Sequence, residues 1–154
     1  MIFHPFIPTP DKLEFIRNAM LNDKESMIDD QRTPEDVDRY ISSAYVGSDM
    51  SFCYEIGDFC GVLAFVGIKP GFKASMLWHQ WDFSIFNKTL VREAVVVITS
   101  MMGALDLHKV EIGTGETRVA RLARMLGFED EGVKKDSMRW GGKLHDMYLL
   151  GKRR

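Results

Sequence analysis

Cysteine is scarce in this 154-residue chain: there are two, Cys53 and Cys60. They form no zinc spacing and no CxxC redox motif. They flank a tight turn expected at Gly57-Asp58, and pairing strands across that turn sets Cys60 opposite Glu55 rather than Cys53. Buried free thiols in a reducing compartment fit that register better than a disulfide. Long apolar runs are absent as well. The longest, Ala94 to Ile98, stops at Thr99 and Ser100, well short of the ~20 residues a membrane helix needs. Charge of one sign is also missing: 20 Lys and Arg stand against 22 Asp and Glu, a formal net charge of -2. A nucleic-acid binder would carry a basic surplus, and the Lys152-Arg153-Arg154 cluster reads as a solvated end. Histidine is rare; His4 and His108 are isolated and no three-ligand metal set exists. MIFHPFIPTP shows no basic region followed by an apolar block, so no signal peptide is expected. The expected setting is the cytoplasm, with no membrane, nucleic-acid or metal partner.

What remains is a globular composition, 45% hydrophobic and 27% charged, in a length that one domain over 1–154 can fill with a sizeable core. Thr9-Pro10-Asp11 and Thr33-Pro34-Glu35-Asp36 are helix starts, with Thr as N-cap, Pro in the first position and acids in the first turn. Residues 51–56 and 59–66 form a hairpin around Gly57-Asp58. Residues 75–86, SMLWHQWDFSIF, read as one long central strand. The clearest helix covers 88–105, with Leu90, Ala94, Val97, Ile98 and Met101 on one side. A strand at 107–114 and a helix at 117–126 closed by Gly127 follow. Strands at 133–140 and 144–150 then turn at Gly141-Gly142. The expected architecture is α/β, a mixed sheet of six or seven strands with helices on both faces, in the order ααββ-β-α-β-α-ββ.

Four stretches carry a resemblance. They are Cys60-Gly61-Val62-Leu63, then Asn87-Lys88-Thr89-Leu90-Val91-Arg92-Glu93-Ala94, then a helix ending in Leu126-Gly127-Phe128 with Glu131-Gly132 after it. The last is the closing hairpin with His145-Asp146-Met147-Tyr148-Leu149-Leu150. In this order they resemble the GNAT superfamily of acyltransferases, most specifically over 81–150. The resemblance implies an acetyl-CoA or other acyl-CoA bound between two splayed central strands, and direct transfer of the acyl group to an amine. The cofactor's pyrophosphate would lie on N–H groups at the start of the central helix, at Asn87, Lys88, Thr89, Leu90 and Val91. Four unpaired donors and the positive end of the helix dipole suit an anion there. Backbone of Phe83, Ser84 and Ile85 would meet the pantetheine amides. The acceptor, a small-molecule or protein amine, would be chosen by roughly residues 20–60.

The sequence departs from the family pattern where Ser84, Asn87 and Thr89 stand in the Gln/Arg-x-x-Gly-x-Gly/Ala loop. Both glycines, which let backbone approach phosphate closely, are absent. Asn87 can cap the helix; Thr89 is β-branched and stiffer. Glu116 and Ala123 stand where the family often has an Asn and a general-acid Tyr. The amine must lose a proton, and Asp82 and His79 are the candidate bases, set on opposite faces of the expected strand. Tyr148 is the candidate acid for the leaving thiolate. Each also has an ordinary structural use: a packed strand histidine, a sheet-face carboxylate, a core tyrosine. His145-Asp146 is no dyad, because neighbours on a strand point apart. Gly113-Thr114-Gly115 lacks the Gly-Lys-Ser/Thr of a phosphate loop. Arg118, Arg121 and Arg124 recur every third residue and read first as a solvated face, otherwise as a grip on the cofactor's ribose phosphate or on an acidic partner. The ten methionines read first as core filling and second as an adaptable protein-binding surface. Trp78, Trp81 and Trp140 could line a ligand site or pack inside. A second reading keeps the fold and drops the catalysis: a GNAT-like protein that binds a protein partner, as in assembly of a larger particle such as a phage head. Small bacteriophage-encoded GNAT-like proteins look similar in length and in their eroded loop, and for such a source the host cytoplasm is the setting.

Overall fold

The computed structural model describes residues 1–22, 33–46 and 51–154. The elements run β1 (Phe3–Pro5), α1 (Pro10–Asn22), α2 (Pro34–Ala44), β2 (Phe52–Ile56), β3 (Gly61–Lys69), β4 (Lys73–Gln80), α3 (Lys88–Ala104), β5 (Lys109–Thr114), α4 (Thr117–Met125), β6 (Glu129–Trp140) and β7 (Lys143–Arg153). The seven strands form one sheet in the order β1-β2-β3-β4-β5-β7-β6. Among the described residues only β4 and β5 pair in parallel; every other strand pair is antiparallel. The expected mixed sheet and helix order are present, with β1 in addition.

Strand alternation sorts the core into two layers. On β3, Val62 and Ala64 face α1 and α2, where Ile16, Met20, Val37, Ile41 and Ala44 cover them. Leu63 and Phe65 point the other way, onto Leu90, Ala94 and Ile98 of α3. Burying each such large apolar side chain contributes about 1.5–3 kcal/mol. The helix starts are capped as the sequence indicates. Thr33 Oγ1 accepts the Asp36 N–H at 3.2 Å, and Leu13 N–H reaches Thr9 O at 3.0 Å. Gly127 ends α4 at φ 87°, and Gly141 and Gly142 turn the last hairpin at φ 58° and 72°.

Three boundaries differ from expectation. The long strand stops at Gln80, not at 86. There the Asp82 carboxylate accepts the Ser84 N–H at 2.9 Å, the Gln80 side-chain amide donates to Asp82 O at 2.9 Å, and Phe86 N–H donates to Phe83 O at 3.0 Å. Side-chain bonds to backbone compete here with ladder pairing, so 81–86 is a loop and strand alternation does not place Asp82. The β2–β3 turn is four residues, Gly57 to Cys60, with Phe59 at φ 55°. Ile56 therefore opposes Gly61, Cys53 opposes Ala64, and both cysteines are free. Finally β6 and β7 are longer than expected and bulge at Asp130/Gly132 and Lys134/Met138.

Candidate functional site

The site arises where the sheet forks. β4 and β5 pair only at Lys73–Lys109, Ala74–Val110 and Ser75–Glu111. Beyond that point β5 continues to pair with β7 through Thr114, while β4 runs on to Gln80 paired with β3 alone. The β5-facing edge of β4 therefore offers unpaired backbone groups, which need a partner if water is excluded. Ion pairs hold the closed end together. Lys73 meets both Glu111 oxygens at 3.2 Å, and Lys109 lies 3.5 Å from Glu111 and 2.6 Å from Glu131. The Lys109 ammonium holds the Glu131 carboxyl below its usual range.

The open end is a cleft of about 820 Å³, near the upper end of small-molecule sites. Its walls come from β4 (Met76 to Gln80), the end of β5, α4, α1 and the β6–β7 hairpin, with Trp81, Phe83 and Phe86 of the loop at its edge. Glu116 is the single carboxylate among the described lining residues, against Arg118 and Arg121; Glu116 sits 3.8 Å from Arg118. Arg118 also lies 5.8 Å from the centre of the Phe83 ring, so loop and α4 touch across the opening. Arg124, third in the spacing, is instead held by Asp130 at 2.8 and 2.9 Å.

His79 lines the cleft. Its Nε2 is 3.3 Å from Tyr40 Oη, and its ring packs edge-on to Tyr40 and Tyr45 at 6.1 and 6.2 Å. Burial pushes the Tyr40 hydroxyl up to about 12 and raises Tyr45 well above the usual phenol value. Both therefore stay protonated at neutral pH. Asp82 is exposed in the loop, and the Ser84 N–H holds its carboxyl below the usual range. Tyr148 packs on the larger core and is not among the cleft-lining residues. Burial raises both thiols, Cys53 to about 12 and Cys60 in the same direction; neither lines the cleft.

The α3 start is built as its sequence indicates. Asn87 is the N-cap; its Oδ1 accepts the Leu90 N–H at 2.9 Å and its O accepts the Val91 N–H at 3.2 Å. Of the donors expected over 87–91, those two are thus committed. Lys88 and Thr89, exposed in the first turn, have N–H groups with no intrahelical acceptor. The Leu90 side chain is wholly buried. Phe83 lines the cleft, Ser84 is held by Asp82, and Ile85 anchors the loop. A Cβ added to Gly57 would meet Ile85 Cδ1 at 2.7 Å. Asn87→Ala is expected to lower stability by about 0.5–2 kcal/mol, read from the denaturant midpoint at unchanged slope.

Two features escaped the sequence. Tyr40 reads as one more apolar helix position, and only the tertiary fold puts its hydroxyl on His79. The methionines divide: Met101 and Met102 are core, Met20 and Met76 are core residues that also border the cleft, and Met125, Met138 and Met147 line it. Met125 is 51% exposed, which departs from the reading of the methionines as core filling. Among the described residues no group of His, Cys, Asp and Glu could hold a metal, and no helix is long and apolar enough to cross a membrane. The stretch 20–60 expected to choose the acceptor falls partly outside the described residues, as does the side chain of Trp140.

No protein-family model matches the sequence, and no curated protein does either. Solved structures match over nearly the whole chain. Spermidine N-acetyltransferase from Vibrio cholerae, solved with CoA and spermine, is 12% identical with a TM-score of 0.76, covering 99% of this chain and 95% of that one. RimL, a ribosomal L7/L12 alpha-N-protein acetyltransferase in complex with CoA, is 15% identical with a TM-score of 0.75, covering 99% and 94%. MccE, the microcin C7 self-immunity acetyltransferase in complex with acetyl-CoA and AMP, is 15% identical with a TM-score of 0.73, covering 99% and 92%. At these identities the likeness is one of fold.

Proposed function

Because this chain has the fold of the GNAT acetyltransferases, we propose that it is an acyl-CoA-dependent N-acyltransferase whose acceptor is an amine. The observation that carries this reading is the fork. A strand edge left unpaired from Met76 to Gln80 runs beside an open cleft, and α3 begins after the loop at its mouth. The donor set suits the ligand: backbone amides for the pantetheine arm, the Lys88 and Thr89 N–H groups for pyrophosphate, and Arg118 and Arg121 for further phosphate charge. CoA and acetyl-CoA were found with the neighbours of this fold named above, which supports the same class of ligand here.

The thioester supplies an activated acyl group; the amine nitrogen forms the new C–N bond as the C–S bond breaks. His79 takes the amine proton, directly or through one water, and Tyr40 holds the imidazole. The thiolate takes its proton from water, since Tyr148 stands off the cleft. Raised cysteine thiols away from the cleft supply no thiolate nucleophile, which favours direct attack over an acyl-enzyme.

The test is calorimetric titration of the full chain with acetyl-CoA, and with CoA as reference. Micromolar binding is expected, followed by an amine screen for the acceptor. Absence of binding up to millimolar concentration, with a cooperative melting transition retained, would overturn the enzyme reading and favour the protein-binding alternative.

A further inference from the structure

We propose that Tyr45, at the C-terminal end of α2, is a second positioning residue for His79, acting through Tyr40 to support the imidazole once it is protonated. Its use in catalysis rests on the acyl-transfer reading above. Tyr45 is 2% exposed, and its Oη has no hydrogen-bond partner among the described residues. Such a hydroxyl costs stability, because it has given up water without gaining a protein partner. Phenylalanine would fill the same site without that cost, so the hydroxyl calls for an explanation in function. The place of the ring supplies one. It stands edge-on to His79 at 6.2 Å and to Tyr40 at 5.9 Å, and Tyr40 Oη is the group 3.3 Å from His79 Nε2. Phe6 packs on the Tyr45 ring at 6.4 Å, and the Tyr45 N–H is tied to Ile41 O at 2.9 Å.

The use follows from counting donors. A neutral imidazole has one N–H and one acceptor nitrogen; the imidazolium formed when His79 takes the amine proton has two N–H groups. Tyr40 Oη must then accept from Nε2, and its own proton needs an acceptor elsewhere. Among the described residues, Tyr45 Oη is the buried oxygen of this cluster without a partner. The Tyr40 O–H turns to Tyr45, no proton leaves either phenol, and two aligned hydroxyl dipoles face the charged ring. The neighbouring groups are compatible with this role. Burial raises both phenols; beyond burial, the Tyr45 hydroxyl lowers Tyr40 and Tyr40 raises Tyr45, so the pair already interact. The Cys53 thiol of β2, pushed up to about 12 by burial and then by Glu55, raises both phenols too. All three groups are therefore neutral at pH 7. From α4 and its cap, Glu116, Arg118 and Arg121 line the same cleft as His79.

The experiment is Tyr45→Phe in the full chain, alone and combined with Tyr40→Phe. Tm is expected to hold or rise, since only an unpartnered hydroxyl is removed. The His79 ring resonances, followed by NMR through a pH titration without any cofactor, are expected to move to a lower midpoint, because the charged ring has lost support. With the amine from the acceptor screen, kcat is expected to fall about two- to tenfold while the amine KM holds. In the double variant neither the midpoint nor kcat is expected to change beyond Tyr40→Phe alone, because Tyr45 acts through Tyr40. An unmoved midpoint would overturn the inference, and so would a lower Tm, which would show the hydroxyl bonded in the resting fold. Effects that add to those of Tyr40→Phe would overturn it as well. If acetyl-CoA does not bind, the acyl-transfer reading falls, and the NMR midpoint decides the coupling of Tyr45 to His79 on its own.

Discussion

Replacing His79 by alanine is expected to lower kcat for acyl transfer by about 10²- to 10⁴-fold, measured with the amine that the acceptor screen yields. The ring stands in the cleft wall with Nε2 on Tyr40 Oη at 3.3 Å, a contact that holds the imidazole at the cleft. Tyr40→Phe removes one hydrogen bond and is expected to cost on the order of tenfold. Because burial holds the Tyr40 hydroxyl near 12, it stays a neutral phenol across the working range and adds no basic limb below about pH 11. Asp82→Asn is the contrast. The Ser84 N–H holds that carboxyl below its usual range, which makes it a weak base, and asparagine keeps the oxygen that accepts from Ser84. Its kcat is expected to stay close to the starting value. A large loss in Asp82→Asn with little in His79→Ala would reverse the assignment.

This contrast turns on a boundary that the sequence misplaces. SMLWHQWDFSIF alternates well enough to pass for one strand, because Trp81, Phe83 and Phe86 are as apolar as core residues. Their apolar surface serves the cleft and the aromatic contacts of the loop: Trp81 lies 4.8 Å from Phe59 and 5.2 Å from Phe15. Periodicity records burial and cannot say against what. The strand's end depends on Asp82 and Ser84 bonding to each other, which a pattern of apolar positions does not register. The three-residue β1 has no periodicity to show; it exists because β2 offers it an edge, with Phe3 opposite Ile56. The start of β6 was hidden for the opposite reason. Glu129, Asp130 and Glu131 look like a turn, yet they are strand residues; Asp130 pairs with Arg124, and Glu131 with Lys109 and Arg153. Helices fared better because their signals are local. Thr33, Asn87 and Gly127 cap where their chemistry requires, and the Leu90–Ala94–Ile98 stripe faces the sheet. Of the frame around the cleft, the strand that carries His79 and the Asn87 cap of α3 were legible. The Tyr40 contact and the methionine lining were not, since each joins elements far apart in the chain, and the fork was expected only through the family resemblance.

The fork also makes one glycine expensive to replace. Gly61 opens β3 directly opposite Gln80. A Cβ there would stand 2.6 Å from His79 O, 3.0 Å from Gln80 Cα and 3.2 Å from Gln80 Cβ. Two of those atoms are backbone, so relief requires β4 to move rather than a side-chain tip to swing aside. The end of β4 is where such movement matters. Trp81 and Asp82 both donate their N–H groups to Cys60 O at 3.1 Å, so the loop that edges the cleft hangs from the residue before Gly61. Gly61→Ala is expected to cost about 1–3 kcal/mol, the range for overpacking a close-packed position. In a chain of this size that is a fall in Tm of roughly 2–12 °C. At a temperature where the variant remains folded, displacement of His79 is expected to lower kcat about 10²-fold, the cost of misplacing a catalytic group by about 1 Å. Acetyl-CoA affinity is expected to fall less, because the α3 start and the arginines of α4 lie off the displaced strand. Thermal melting together with kcat and the calorimetric Kd separates these effects. A variant that melts like the starting protein and turns over at the same rate would mean that β4 tolerates the shift, and that His79 is not held by its register against Gly61.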